Sequence, residues 1–299
     1  MESLHTQYVP ADVVVPKRRS MFASICLRFR KNKMAMVGLA IFLLILFFAI
    51  FAGLFVDYEE DVVTQNVRDR LLPSSAEHLL GTDMYGRDLF ARLVWGARLS
   101  LTISITAVAA SLAVGAVIGA VAAYYGGVLD NALMRVIDVF LAIPSTLMAV
   151  TVVAALGTGV SKLILALSIS MVPPFARIVR STVLQVKGSD YIEAARAYGA
   201  NDFFIIAKHV LPNAIGPIIV QATLNLASVL LSVAALGFIG LGVPSPQPEW
   251  GTMLAESKAQ MRYYPYLIIY PGVAIMMAVL SINLIGDGLR DALDPRLKN

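Results

Sequence analysis

One cysteine, Cys26, and three histidines, His5, His78 and His209, are all the thiol and imidazole side chains that 299 residues hold. A lone cysteine forms no intrachain disulfide, and none of the four stands at a metal-ligand spacing, so disulfide and zinc chemistry have no footing. No nucleophile–base set stands at a recognisable spacing either, which argues against catalysis by this chain. A phosphate-cradling loop is missing too: the nearest run to Gly-x-x-x-x-Gly-Lys-Ser/Thr, Gly157-Thr-Gly-Val-Ser-Lys162, has the wrong spacing. Charge is the last scarcity, at 15% of residues against 58% hydrophobic. Soluble domains carry about 25% charged residues, and no water-soluble core absorbs so much apolar sequence. Two soluble domains, which the length alone would allow, are thereby excluded.

What the chain has instead is long uncharged runs. Residues 34–56 are 23 in a row without a charge, about 34 Å as a helix against a hydrocarbon layer of about 30 Å. The run is too long for a signal-peptide core and no small-residue cleavage pattern follows Val56, so it reads as an uncleaved anchor. Further apolar runs cover 99–125, 136–157 with one acid (Asp138), 163–176, 214–241 and 266–286, giving six candidate spans. The fourth is short, and Pro173-Pro174 is expected to end or kink it. Pro144 and Pro271 predict kinks in the third and sixth. In the second, Ser111, Gly115, Gly119 and Ala123 recur every four residues, a small-residue face on which another helix can pack closely.

The segment ahead of Met34 carries Lys17, Arg18, Arg19, Arg28, Arg30, Lys31 and Lys33 against Glu2 and Asp12. By the positive-inside rule the N-terminus is cytoplasmic, and six crossings return the C-terminus to the same side. They also put 177–210, with Arg177, Arg180, Lys187, Arg196 and Lys208, inside, and the acid-rich 57–97 outside. That outer loop and 244–265 are the two largest outer segments and the expected docking surface for an external protein, with Trp250 as a boundary anchor and Glu60 and Glu256 as cross-linking positions.

The inner loop between the fourth and fifth spans has local order. Asp190 is placed to cap a helix with Glu193 completing a capping box, Gly199 to close it in the left-handed conformation, and Asn201 to cap a second short helix. Leu211-Pro212-Asn213 would then turn the chain into the fifth span. Physics alone leaves a surface-lying amphipathic linker as good an account of this segment. Elsewhere, Arg135 and Asp138 stand at the spacing of an intrahelical ion pair. Gln221, Asn225, Ser228 and Ser232 put a polar stripe on one side of the fifth span. The stripe fits a translocation path and interhelical hydrogen bonding equally well. His209 reads as a packing residue.

Glu193-Ala194-Ala195, then Gly199, then Leu211-Pro212 resembles the EAA loop of ABC importer permeases, with His209 where the general pattern has isoleucine. The chain also resembles the peptide and nickel branch, second subunit, through His78-Leu-Leu-Gly-Thr-Asp-Met-Tyr-Gly-Arg-Asp88, Gly96-Ala-Arg-Leu-Ser-Leu101, Met134-Arg-Val-Ile-Asp138, Leu236-Gly-Phe-Ile-Gly-Leu-Gly242, Trp250-Gly-Thr-Met-Leu254 and the block from Asn283 to Pro295. The match runs from about Lys31 to the end. The resemblance implies an all-α integral membrane protein of the type I ABC importer permease fold, with about six transmembrane helices. It implies a basic tail over 1–33, a first span over 34–56, an outer loop over 57–97, a transmembrane domain over 98–287 with the coupling loop at 188–213, and a tail over 288–299. Partners follow from it as well. A second, homologous permease would complete the channel, and two ATPase subunits would bind ATP and Mg, receiving the coupling helix in a groove. An extracytoplasmic binding protein would deliver the solute at a bacterial inner membrane, with lipid around the chain and no nucleic acid. Peptides are the first expectation for that solute, with nickel, glutathione and opine-like solutes as alternatives. A self-sufficient secondary transporter would need inverted repeats and ion ligands at broken helices, and no convincing repeat is present. A non-transporting assembly factor is the third possibility, against which the capped knob argues.

Overall fold

The structure is a computed structural model that describes residues 21–293. Lys17, Arg18, Arg19 and His5 of the basic tail, and Asp294 onward of the terminal tail, lie outside the described residues. A short helix α1 (Met21–Lys31) precedes α2 (Lys33–Ile50), which α3 (Ala52–Phe55) extends by a turn. Then come α4 (Leu89–Tyr125), α5 (Gly127–Leu141), α6 (Ser145–Leu156), α7 (Val160–Lys187), the short α8 (Asp190–Ala197) and α9 (Asp202–Ile205), α10 (Leu211–Phe238), α11 (Trp250–Ser257) and α12 (Tyr266–Leu293). Five helical segments are long and apolar enough to cross a membrane, and α5 with α6 make a sixth crossing if that bent pair is one span. A helix satisfies every backbone group within itself, which is why charge-free runs take this form in lipid.

Four boundaries differ from the sequence reading. α4 begins ten residues before the predicted start at Leu99, because Asp88 caps it by accepting from the Ala91 N–H at 2.8 Å. Arg92, inside the expected loop 57–97, is a buried and ion-paired residue of α4. The third predicted span is not one kinked helix: α5 and α6 meet at 82° across 142–144. Pro144 disfavours a helical Ile143 and starts the new helix in an extended conformation. The fourth predicted span is 28 residues rather than 14, and Pro173-Pro174 lie inside it without ending it. The fifth has no turn at its start. The chain runs helically from Asp202 through Phe238, with one π-helical turn over Ile206–Val210. Pro212 has no N–H to give, and just ahead of it the ladder widens so that Leu211 N–H reaches the Ile206 carbonyl.

α4 and α7 form the central pair. Ser111, Gly115, Gly119 and Ala123 are all buried on α4, and the two glycines face α7 at the level of its proline pair. A Cβ on Gly115 would stand 2.6 Å from Phe175 Cβ and 2.9 Å from the Ala176 nitrogen, while one on Gly119 would run into the Ala176 carbonyl. That approach supplies packing where the prolines remove two hydrogen bonds. α12 packs in the same way on α2, where Gly38 lies against Leu284 and Gly288 against Ala35. α10 lies against α12 through Gly286, over Leu224. Three buried clusters follow the bundle. One joins α2, α4, α10, α11 and α12, one joins α4, α6, α7 and α10, and one joins the ends of α4 and α7 to α8, α9 and α10.

Candidate functional site

At one end of the bundle, α8 and α9 form a compact knob. α7 stops at Gly188, and Ser189 accepts the first α8 bond, from Glu193 N–H at 3.4 Å. The cap position is therefore Ser189, and with Ile192 three residues on, the expected Asp190–Glu193 box does not form: both acids sit inside the first turn. There they oppose the partial positive charge of the helix N-terminus. Gly199 has φ +79°, and Ala200 N–H bonds the Ala195 carbonyl across it at 3.2 Å, the closing bond of a Schellman turn. Nothing lies within 4 Å of where a Cβ on Gly199 would stand, so backbone conformation rather than crowding calls for glycine. Asn201 then caps α9 by accepting from Phe204 N–H at 2.7 Å.

Ile192, Ile205 and Val210 are the buried feet of the knob, packed with Ala120, Val179 and Val183. Tyr124 at the end of α4 donates to Asp202 at 2.5 Å, and Lys187 donates to the Tyr124 carbonyl at 2.5 Å. The other face is open. Tyr191, Glu193 and Ala194 are exposed, Tyr198 is 92% and Phe203 80% exposed, while Ala195 is half-buried against the feet. Leu211 packs into the same cluster and Pro212 is exposed at the head of α10. His209 stacks edge-on against Phe204 at 5.5 Å. So the six residues expected to couple are brought together on one knob, as two layers. Glu193, Ala194, Gly199 and Pro212 are outward, and Ala195 and Leu211 support them.

Along α10 the four stripe residues share one side. Gln221 Nε2 donates to Asn225 Oδ1 at 3.0 Å and Ser232 to the Ser228 carbonyl at 2.9 Å, so the bonds stay within the helix. Nearer the knob, Asp138 of α5 takes a 2.6 Å bond from Arg177 of α7. The expected Arg135–Asp138 pair on one helix is thus replaced by a link between helices. A second link is two-pronged: Arg180 donates to both oxygens of Asp130 at 2.6 Å.

The opposite end holds residues that the sequence reading assigned elsewhere or missed. Trp250 is no boundary anchor. It is 2% exposed, donates from Nε1 to the Leu93 carbonyl at 2.9 Å, and fills the space that Gly96 leaves open. Glu256 is no free cross-linking position, since it takes bonds from Arg87 at 2.7 Å and Arg92 at 2.9 Å. Asp83 completes a quartet, 2.6 Å from Arg87 and 3.5 Å from Arg92. Glu249 is fully buried and caps α11, accepting from Gly251 and Thr252 N–H and from the Ser100 hydroxyl. Burial pushes its carboxyl above the usual carboxylate range, and the backbone donors pull against that shift. The available signal was charge itself: few charged residues adjoin the spans of so apolar a chain, and those that do need a partner.

The family described as the binding-protein-dependent transport system inner membrane component matches residues 115–299, and the N-terminal transmembrane domain of oligopeptide transport permease C matches residues 20–73. A dipeptide transport system permease protein from Alkalihalophilus pseudofirmus is 46% identical over 90% of this chain and 88% of its own length. An oligopeptide transport system permease protein from Bacillus subtilis is 40% identical over 96% and 94%. A glutathione transport system permease protein from Pectobacterium atrosepticum is 40% identical over 91% and 90%. Among solved structures, an inward-facing MetNI methionine ABC transporter aligns with a TM-score of 0.57 at 22% identity, covering 68% of this chain and 97% of that one. At that identity the likeness shows the fold alone.

Proposed function

The chain belongs to the family of binding-protein-dependent transport system inner membrane components, and we propose that it is the permease subunit of an ATP-driven importer for di- or oligopeptides delivered by an extracytoplasmic binding protein. The observation that carries this is the knob. A surface with Tyr198 and Phe203 exposed, shaped by a left-handed glycine and footed in the bundle, suits a protein partner far better than water. Glu193, Ala194, Ala195, Gly199, Leu211 and Pro212 are the coupling residues of this reading. ATP and Mg would be held by two ATPase subunits docked there, which places the knob, the N-terminus and the C-terminus on the cytoplasmic side. ATP-driven closure of those subunits would push the knob toward that of a second, homologous permease and open the cavity outward. Gln221, Asn225, Ser228 and Ser232 bond no other helix of this chain among the described hydrogen bonds, which favours a path-lining stripe over glue between helices. Ser111, Gly115, Gly119 and Ala123 serve packing. The outer surface for the binding protein is better drawn with Glu59, Glu60, Met261 and Tyr263, all exposed, than with Trp250 or Glu256.

Peptide is the first solute because two of the relatives are named for it, and glutathione, itself a small peptide, is the second reading from the third relative. The test is uptake into proteoliposomes holding the permease pair, the ATPases and the binding protein, with labelled dipeptide, longer peptide and glutathione supplied separately. ATP-dependent, binding-protein-dependent accumulation of a di- or oligopeptide is expected. Uptake of glutathione alone would move the assignment to the second reading, and uptake without ATPase subunits would overturn the importer reading.

A further inference from the structure

Helix α1 is too short to span, and it does not continue α2. The chain breaks between them at Asn32, whose backbone is extended (φ −79°, ψ 103°) and whose side chain caps α2 by accepting from Ala35 N–H. What holds α1 is the end of α12: Phe29 lies against Gly288, and Asn32 Nδ2 donates to Asp291 Oδ2 at 3.1 Å. It is therefore tethered where two spans, α2 and α12, leave the apolar layer on the same side. Its 11 residues make about 16 Å of helix, so no part of it can move farther than that from the layer's edge.

The surface of α1 is mixed in a particular way. Its sequence has no acid, its last turn carries Arg28, Arg30 and Lys31, and Lys33 follows. Ile25 and Phe29 are half-buried toward the bundle, yet Leu27 is 41% exposed among the cations. Insertion topology and the dipole at the helix C-terminus account for basic residues here. They do not account for an amphipathic helix kept at the layer's edge with an apolar side chain outward. Basic amphipathic helices beside a span are attracted to anionic headgroups, each cation strengthening association about fivefold.

We infer that α1 is a seat for the anionic phospholipids of the bilayer that α2 and α12 cross. Arg30, Lys31 and Lys33 take the headgroup phosphates and Leu27 enters the boundary between headgroups and chains. This rests on the membrane-spanning reading of α2 and α12, and on neither the solute nor the coupling knob.

Cys26 is exposed on the same helix and is this chain's one cysteine, so it reports on the seat directly. The full chain, assembled with partner subunits stripped of their own cysteines, is labelled at Cys26 with an environment-sensitive fluorophore. It is then reconstituted in phosphatidylcholine vesicles with or without phosphatidylglycerol. The expected result is a blue shift and shielding from an aqueous quencher only when phosphatidylglycerol is present, reversed by high salt. Neutralising the cations as Arg30→Gln, Lys31→Gln and Lys33→Gln should lower the seated-to-unseated ratio about a hundredfold at low salt, with recovery of the assembled complex unchanged. Emission indifferent to phosphatidylglycerol overturns the inference. So does a response that persists in the triple variant, or one that requires the ATPase subunits and not the lipid. The readout needs no peptide and no ATP, so its failure leaves the import reading standing, and failed uptake leaves this one standing.

Discussion

The two ends of the bundle are built on opposite principles. At the end carrying 57–88 and α11, two buried arginines share a buried Asp83 and a half-buried Glu256, Trp250 is sealed in the core and Glu249 caps a helix from full burial. At the knob end, three aliphatic feet hold α8 and α9, and the two most exposed aromatic side chains, Tyr198 and Phe203, point outward. The first arrangement spends its strong interactions on itself and makes a fixed platform. The second leaves its apolar surface unspent, as a surface does that is completed by another chain. The same contrast separates Glu256, which is occupied, from Glu193, which is exposed. A carboxylate's part in the molecule follows from what faces it, and residue type alone assigns neither.

The platform should break hardest. Removing one partner of a buried ion pair leaves an uncompensated charge and costs about 3–5 kcal/mol. Glu256→Ala would leave Arg87 and Arg92, both 1% exposed, sharing Asp83 alone. Thermal unfolding in detergent should show a large loss of stability for Glu256→Ala, whereas Glu60→Ala, on an exposed carboxylate at the same end of the bundle, should stay within about 0.5 kcal/mol of the parent. Equal unfolding curves for the two variants would mean that the quartet does not hold the 57–88 segment to α11.

This platform was the part least legible in the sequence. The five spans could be read because lipid demands runs without charge, and such runs are visible one residue at a time. The left-handed Gly199 and the Asn201 cap were also legible, since each is a local rule acting within four residues. The quartet joins Arg87 to Glu256 across 169 positions, and no local pattern announces such a pair. Reading charge as the end of a span also misplaced the start of α4, because Arg92 enters the bundle with its counter-charge. The bend at Pro144 was hidden for a related reason: a broken span and a kinked one have the same composition, and only the neighbours decide between them.

Between the two ends lies an effect of middle size. The four-residue face on α4 was readable as a pattern, though its partner was not, and the structure gives α7. Overpacking a tight contact costs about 1–3 kcal/mol, and Gly119→Leu would force a side chain into the Ala176 carbonyl and the Arg180 nitrogen. It should lower the unfolding temperature and the yield of folded protein. Gly272→Ala is the control, because nothing lies within 4 Å of a Cβ there. It should be neutral or stabilising by up to about 1 kcal/mol through helix propensity alone. If Gly119→Leu unfolds like the parent, α4 and α7 do not depend on that approach.

The smallest effect on the fold should be the largest on coupling, and it tests the knob from two directions. Gly199 sits at φ +79° with open space around its missing side chain, so any penalty there is purely one of backbone conformation. A non-glycine residue in that conformation costs about 1–2 kcal/mol, least for asparagine and most for a β-branched residue. Gly199→Val should therefore distort the α8–α9 turn while Gly199→Asn keeps it, and neither should alter unfolding of the bundle. Glu193→Ala makes a separate demand: the carboxylate is exposed and its support within this chain is the helix-dipole interaction at the head of α8, about 0.3–1 kcal/mol, so its loss should leave the knob's shape intact and act chiefly through a contact to a partner. Co-purification of ATPase subunits and substrate-stimulated hydrolysis in proteoliposomes measure both. Weak ATPase attachment and uncoupled hydrolysis are expected for Gly199→Val and Glu193→Ala, with near-parent behaviour for Gly199→Asn. Should both damaging variants recover the ATPases and couple hydrolysis to uptake like the parent, α8 and α9 would be a surface linker, and the exposed aromatics would need another partner.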